Sequence, residues 1–319
     1  MRSAILEDLN WLSTIVMIWV AGWIPWWSVR RAIANTAGWL GYVSIPERRQ
    51  RAAEHLAIAF DGQLSAQATQ KIIHEYCREI WREALSLLPK AGDRAVLRQA
   101  KIEGWEHLES ALAKGNGAIL WEASMFGSRN LSKQILRAKG VAVHQVHAEG
   151  HLGWTGIALR SGTWLRRRVI VPTIQRWMAS LVEGIVWLRR GQSVAVAKVL
   201  LDVLKRNGVV CSAADGTWGA RLAIVQHLGR PKGFATGMVS LARISGAALL
   251  PLFCVQNGEG MPTLTIGPPI QIRVSAGRRS SPESAICRWV TLLEARVKAD
   301  PGKYRAWHIT FPHVTDAAP

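Results

Sequence analysis

Apolar and polar positions change period several times along the chain, and each change marks an element. Residues Leu9 to Val29 carry no charge and are dense in Trp, Ile and Val, with Glu7-Asp8 before them and Arg30-Arg31 after. At 1.5 Å per residue, a helix of that length just crosses a hydrocarbon layer of about 30 Å. Pro25, Trp26 and Trp27 fall where an interfacial belt would lie, and the arginines beyond place the main body in the cytoplasm. A helix lying in one leaflet, or a buried core helix, gives the same pattern. No small-residue cleavage site follows, so a cleaved leader is not expected. Pro46 to Phe60 is basic and amphipathic. Ser65 then reads as an N-cap for a helix with Ile72, Ile73, Tyr76, Ile80, Trp81, Ala84, Leu85 and Leu88 at helical spacing, ending near Pro89.

From Lys101 the pattern alternates. Helices are expected at Trp105 to Ala113, Leu131 to Ala138, Val194 to Lys205, Met238 to Ile244 and Ser281 to Lys298. Between them, short apolar runs read as strands at Ala118 to Trp121, Val141 to His147, Val209 to Ala213, Leu249 to Val255 and Leu264 to Ile266. Alternation of this kind predicts an α/β fold with a mainly parallel central sheet and crossover helices. It would be preceded by an N-terminal membrane helix and a helical layer covering one face. The expected division is a membrane anchor over 1–40, the helical layer over 41–100, the α/β domain over 101–313 and a tail over 314–319. Between Arg160 and Arg190 the periodicity weakens into a mixture of arginines with Trp164, Trp177 and Trp187.

Composition sharpens the choice of partner. The 319 residues include 16 Trp against three Tyr and five Phe, with 49% hydrophobic content and a mean hydropathy of +0.08. Tryptophan favours the boundary between water and lipid. The net charge of +18 calls for an anionic partner, and the Trp excess favours an anionic membrane surface over nucleic acid. Cys77, Cys211, Cys254 and Cys287 are too widely spaced for a zinc site or a disulfide framework.

The candidate chemistry gathers around the first full strand. Lys114 to Asn130, KGNGAILWEASMFGSRN, reads as turn, strand, turn and helix, which puts the second turn at the carboxyl edge of the sheet, where open α/β folds hold ligands. Glu122 ends the strand. Beside Trp121 and Met125 its pKa would be raised and it would act as a base; alternatively it pairs with Arg129. Ser124 is a nucleophile or a turn hydroxyl, although no G-x-S-x-G elbow surrounds it. His144, His147, Glu149 and His151 cluster at the next strand end, and His147 has the right chemistry for proton transfer. No metal site is expected there, because Gly150 argues against the helix that a His-x3-His pair would need. Asp215 follows the third strand, as a site residue or a turn cap, and Arg221 and Arg230 follow it as bidentate partners for phosphate or carboxylate. No P-loop or complete dinucleotide fingerprint is present, and no cofactor is expected.

Several stretches together carry a family resemblance. They are RRQRAAEHLAIAF with the long helix after it, IEGWEHLESALAKGNGAIL, VVCSAADGTWGARLAIVQHLGRPKGFATGMVSLARISGAALLPLF, and YRAWHITFP. Their order resembles the bacterial lysophospholipid acyltransferase family that includes the late (lauroyl or myristoyl) acyltransferases of lipid A biosynthesis. The resemblance implies transfer of a fatty acyl group from an acyl carrier protein or coenzyme A thioester to an amphiphilic, lysophospholipid-like lipid acceptor. It also implies a bacterial inner (cytoplasmic) membrane setting, with the main domain facing the cytoplasm. In that family the turn after the first strand reads His-Phe-Gly, with an acidic residue five positions after the His. Matching Phe126-Gly127 puts Met125 and Asn130 at those positions, and neither titrates usefully. The expected site is therefore Glu122, His147 and Asp215 for catalysis, with Ser124, Met125, His151, Arg221 and Arg230 binding substrate. The competing expectation is an inactive acyltransferase-fold protein that binds lipid or scaffolds a membrane partner.

Overall fold

A computed structural model describes residues 2–88, 93–148, 163–189, 192–217, 219, 221–272 and 282–309. The apolar N-terminal run does not form one helix. Helix α1 spans Arg2–Trp23 and α2 spans Trp27–Ser44. Pro25 cannot donate to a helical ladder and disfavours a helical conformation at Ile24. Trp26 is extended, at φ −87° and ψ 117°. Among the described residues no helix is long and apolar enough to cross a membrane, so the single span expected over Leu9 to Val29 is not supported. The uncharged part of α1, from Leu9 to Trp23, is only about 22 Å long at 1.5 Å per residue and falls short of the hydrocarbon layer. Moreover, one face of α1 is already spent on protein, since Ile15, Ile18 and Ala21 are buried. Its other face leaves Val16, Trp19, Val20 and Trp23 exposed, and beyond it Trp26, Trp39, Leu40 and Val43 are exposed as well.

Helix α3 (Pro46–Ala59) begins with proline at its first position, and α4 (Ala66–Leu85) is capped as expected: the Ser65 side chain accepts the Ala68 N–H at 3.1 Å. A short α5 (Asp93–Arg98) leads into β1 (Lys101–Glu103) and α6 (Trp105–Leu112). Then come β2 (Ala118–Glu122), α7 (Arg129–Ala138) and β3 (Val143–Ala148).

The stretch whose periodicity weakened holds more structure than its pattern suggests. A π-helical turn at Arg166–Ile170 runs into α8 (Val171–Ala179), and β4 (Gly184–Leu188) pairs parallel with β3. A buried ion pair ties this region to the N-terminal helix, with Arg166 Nη2 lying 2.6 Å from Asp8 Oδ1.

Helix α9 (Ser193–Lys205) and β5 (Val209–Ala213) precede a hairpin of β6 (Leu222–His227) and β7 (Arg230–Ala235). Its turn places Leu228 at φ +50° and Gly229 at φ +78°, as a two-residue type I′ connection requires. Leucine in the first of those positions hides the usual Asn-Gly signature, and no hairpin was expected here. Helix α10 (Gly237–Ser245), β8 (Ala248–Gln256), β9 (Pro262–Ile266) and α11 (Pro282–Ala299) complete the order.

The main sheet runs β1-β9-β8-β2-β5-β3-β4, parallel throughout except for the β8–β9 hairpin. Strand β2 lies at its centre and every residue of it is buried. Alternate side chains divide between two cores, as a period of two dictates. Ile119 and Trp121 face a core shared with α3, α4, α9, α10 and α11, while Ala118 and Leu120 face one shared with α5, α6 and α7. Tryptophan serves both ends of this architecture. Trp121, Trp289 and Trp307 are fully buried, whereas Trp19, Trp23, Trp26, Trp39 and Trp164 are exposed.

Candidate active site

The turn leaving β2 is fixed from three directions. Gly127 sits at φ +64°, and a Cβ there would lie 2.0 Å from the Cys254 carbonyl oxygen, so only glycine fits. The Gly127 N–H donates to the Lys303 carbonyl at 3.0 Å and the Ser128 N–H to the Cys254 carbonyl at 2.7 Å. From the C-terminal segment, Arg305 Nη2 donates to the Ser124 and Gly127 carbonyls, each at 3.0 Å, and its backbone N–H to the Met125 carbonyl at 2.7 Å. Asp215 arrives from the loop after β5. Its Oδ1 accepts the Ser124 N–H at 2.8 Å and its Oδ2 accepts the Met125 N–H at 3.3 Å.

A second carboxylate, unsuspected from the sequence, closes the start of α7. Glu83 Oε1 accepts the backbone N–H groups of Arg129 at 3.2 Å and Asn130 at 3.3 Å, and its Oε2 accepts the Ser128 hydroxyl. A carboxylate at a helix N-terminus satisfies orphan donors and complements the helix dipole. Asn130 turns its amide to the Glu83 carbonyl at 3.0 Å, so this side chain serves the scaffold. No local pattern in α4 marks Glu83 for this work, because its partner lies 46 residues further on.

Glu122 sits within a buried ionic cluster. Arg129 donates to its Oε1 through Nε at 2.8 Å and Nη2 at 2.6 Å, Gln145 Nε2 donates to the same oxygen at 3.1 Å, and Lys133 Nζ binds Oε2. Burial pushes this carboxyl upward, but Arg129 and then Lys133 outweigh it and hold the pKa down at about 2. The raised pKa expected of Glu122 is thus reversed, because two cations that lie 7 and 11 residues away in sequence fold back onto it.

His147 is mostly buried at the end of β3. Burial lowers its pKa first, Arg129 and Lys133 lower it further, and Glu122 opposes them, leaving it at about 3. The imidazole is therefore neutral at physiological pH, with a lone pair for a proton. His144, three residues earlier on the strand, projects from the opposite face.

These groups border one cavity of about 760 Å³, within the range of small-molecule sites, roughly 300–1,000 Å³. Ser124, Arg129, His147, Asp215 and Arg221 supply its polar edge, and Val146, Leu188, Val196, Leu200, Met238 and Leu241 supply apolar wall. Of the residues expected at the site, the cavity brings together Ser124, His147, Asp215 and Arg221. Glu122 lies behind Arg129. Met125 packs against the core and uses its backbone in the turn, outside the described lining. Arg230 stands at the far end of the hairpin from Arg221, with all six residues of β6 between them, about 20 Å of strand. The two arginines therefore do not share the cavity edge expected of them. His151 and Glu149 lie outside the described residues.

Lys232 was not expected near this edge. It is buried on β7, where desolvation lowers its pKa and Asp215 opposes that shift.

Comparison with known proteins agrees with this architecture. The family model for bacterial lipid A biosynthesis acyltransferases matches residues 3–161 and 174–311. Two Mycobacterium tuberculosis proteins, from strains CDC 1551 / Oshkosh and ATCC 25618 / H37Rv, are each named phosphatidylinositol mannoside acyltransferase. Each is 28% identical to this chain over 253 residues, covering 76% of this chain and 73% of the relative. The match to the family model spans both the helical N-terminal layer and the sheet that carries the cavity, and the chain belongs to the bacterial lipid A biosynthesis acyltransferase family.

Proposed function

We propose that this family member transfers a fatty acyl group from an acyl carrier protein or coenzyme A thioester to an amphiphilic lipid acceptor at an anionic membrane surface. The carrying observation is the apolar cavity that opens at the β2 turn and is edged by His147, Ser124, Asp215 and Arg129. The acyl chain lies along Val196, Leu200 and Leu241. As an acceptor hydroxyl or amine attacks the thioester carbonyl, its proton passes to the neutral imidazole of His147. The C–S bond then breaks, and the departing thiolate takes that proton. Arg129, held by Glu122, places positive charge beside the developing oxyanion. Asp215 positions the turn through its two backbone hydrogen bonds. Chemistry through so weak a base is expected to be slow.

The exposed apolar face of α1 and α2 supports attachment along one leaflet, with Trp19, Trp23, Trp26 and Trp39 at head-group depth. This reading puts the protein on the cytoplasmic face of a bacterial inner membrane.

The second reading is a lipid-binding or scaffolding protein without turnover. Met125 and Asn130 favour it, because they occupy the positions where the family's proton-handling pair stands. The test is release of free thiol and acylated lipid from acyl-carrier and coenzyme A thioesters, with bacterial lipid extract as acceptor. Transfer is expected, with kcat/KM lowered about 100-fold by His147→Ala. Lipid binding with no thiol release from any donor would establish the second reading.

A further inference from the structure

A second recess, apart from the acyl cavity, lies where α2 meets α4 and the β8–β9 turn. It measures about 30 Å³, opens to solvent, and is lined by Trp27, Arg30, Arg31, Arg82, Ser86 and Gln256 among others. Three guanidinium groups around one small recess repel one another unless something negative joins them. Arg82 has such partners, since its Nη1 lies 2.6 Å from Glu75 and 3.3 Å from Glu79, and the same two carboxylates also hold Lys303. Arg31 instead donates Nη2 to a neutral acceptor, the Gly258 carbonyl.

Two donors facing this region are unsatisfied. Among the described residues, the indole Nε1 of Trp27 and Nε of Arg31 are buried and meet no hydrogen-bond acceptor. Leaving buried N–H groups unmade costs free energy unless a ligand or water completes them. The β8–β9 turn approaches these donors with a glycine, Gly260, at φ +90°. A Cβ there would lie 2.9 Å from Trp27 Nε1 and 3.1 Å from Arg31 Nη1, so any side chain at that position would crowd the donors.

We propose that this recess binds a phosphate group, recognised by the Trp27 indole N–H and the guanidinium groups of Arg30 and Arg31. A tetrahedral oxyanion matches a converging set of N–H donors and positive charge. A membrane lipid is the source best placed to supply it, because Trp23 and Trp26, immediately before the recess, are exposed and suited to the interface. The site would hold a head group at the edge of the surface on which the protein rests. It does not depend on turnover in the acyl cavity, so it stands or falls separately from the proposed transfer reaction.

The test is isothermal titration of the full chain with inorganic phosphate and with water-soluble dihexanoyl phosphatidylglycerol, for wild type, Trp27→Phe and Arg31→Gln. Melting curves confirm that each variant is folded. Loss of one charge-assisted donor should weaken binding about tenfold or more. Binding of the short-chain lipid alone identifies a lipid head group, and equal binding of both probes identifies phosphate as such. Either result supports the site when both variants weaken it. Absence of binding by either probe, or affinities unchanged in both folded variants, overturns it.

Discussion

Asp215 Oδ1 accepts the backbone N–H of Ser124 at 2.8 Å, joining residues 91 positions apart. Through that bond and its partner to Met125, the loop after β5 sets the shape of the turn after β2. Replacement of Asp215 by alanine leaves two backbone donors without their carboxylate. Hydrogen bonds to charged groups contribute about 1.5–3 kcal/mol each, so losing both through Asp215→Ala should lower stability by about 3–6 kcal/mol. Denaturant unfolding measures this, and an unchanged midpoint would contradict the positioning role.

Glu122→Gln should be more damaging. It leaves Arg129 and Lys133 buried without their shared counter-charge, and breaking a buried pair in this way costs about 3–5 kcal/mol. Replacing Arg129 by methionine and Lys133 by leucine in the same chain should recover much of the loss by removing the stranded cations. Urea melts of the single and triple variants test this.

The same cluster gives stability a definite pH dependence. With its folded pKa at about 3, His147 stays neutral in the native chain at pH values where an ordinary histidine, near 6.5, takes up a proton. The unfolded state therefore binds more protons between those limits, and stability falls as pH drops from about 6.5 toward 3. Glu122, folded near 2 against an ordinary 4.5, adds a further loss as pH falls from about 4.5 toward 2. His147→Gln should remove its own share of the upper part of this slope, leaving the share of His308, which burial holds down at about 4, and the lower part intact. Melting temperatures at intervals from pH 7 to pH 3 provide the check.

Much of this arrangement is legible from residues close together in the chain. The helix cap at Ser65, the buried run Ala118 to Trp121 and the alternation after Lys101 follow from local pattern, and so does the placement of the β2 turn at the carboxyl edge. What stayed hidden depends on distant partners. Pairing of Glu122 with Arg129 is one of the two readings that the local sequence offers, but Lys133 and Gln145 join that carboxylate only once α7 and β3 are in place. Glu83 shows nothing of its role until it meets the start of α7. The β6–β7 hairpin carries no local signature, because Leu228 occupies a left-handed position normally given to Asn or Gly. The N-terminal run failed as a single span because Pro25 outweighs the absence of charge around it.

Chain-length preference should follow the cavity wall. Val196 and Leu200 line it from α9. Val196→Trp adds bulk there, and each methylene denied a buried position loses about 0.8 kcal/mol. Competition among thioesters of eight to sixteen carbons should shift toward shorter chains by at least two carbons.

The proposed transfer requires the acyl chain to occupy the cavity at the β2 turn. Photo-crosslinking with an acyl coenzyme A whose chain end carries a diazirine, followed by peptide mapping, tests it most directly. The label is predicted on 193–200 of α9 or 237–241 of α10, and Val196→Trp should suppress it. Labelling confined to the exposed faces of α1 and α2, unaffected by that substitution, would contradict the account.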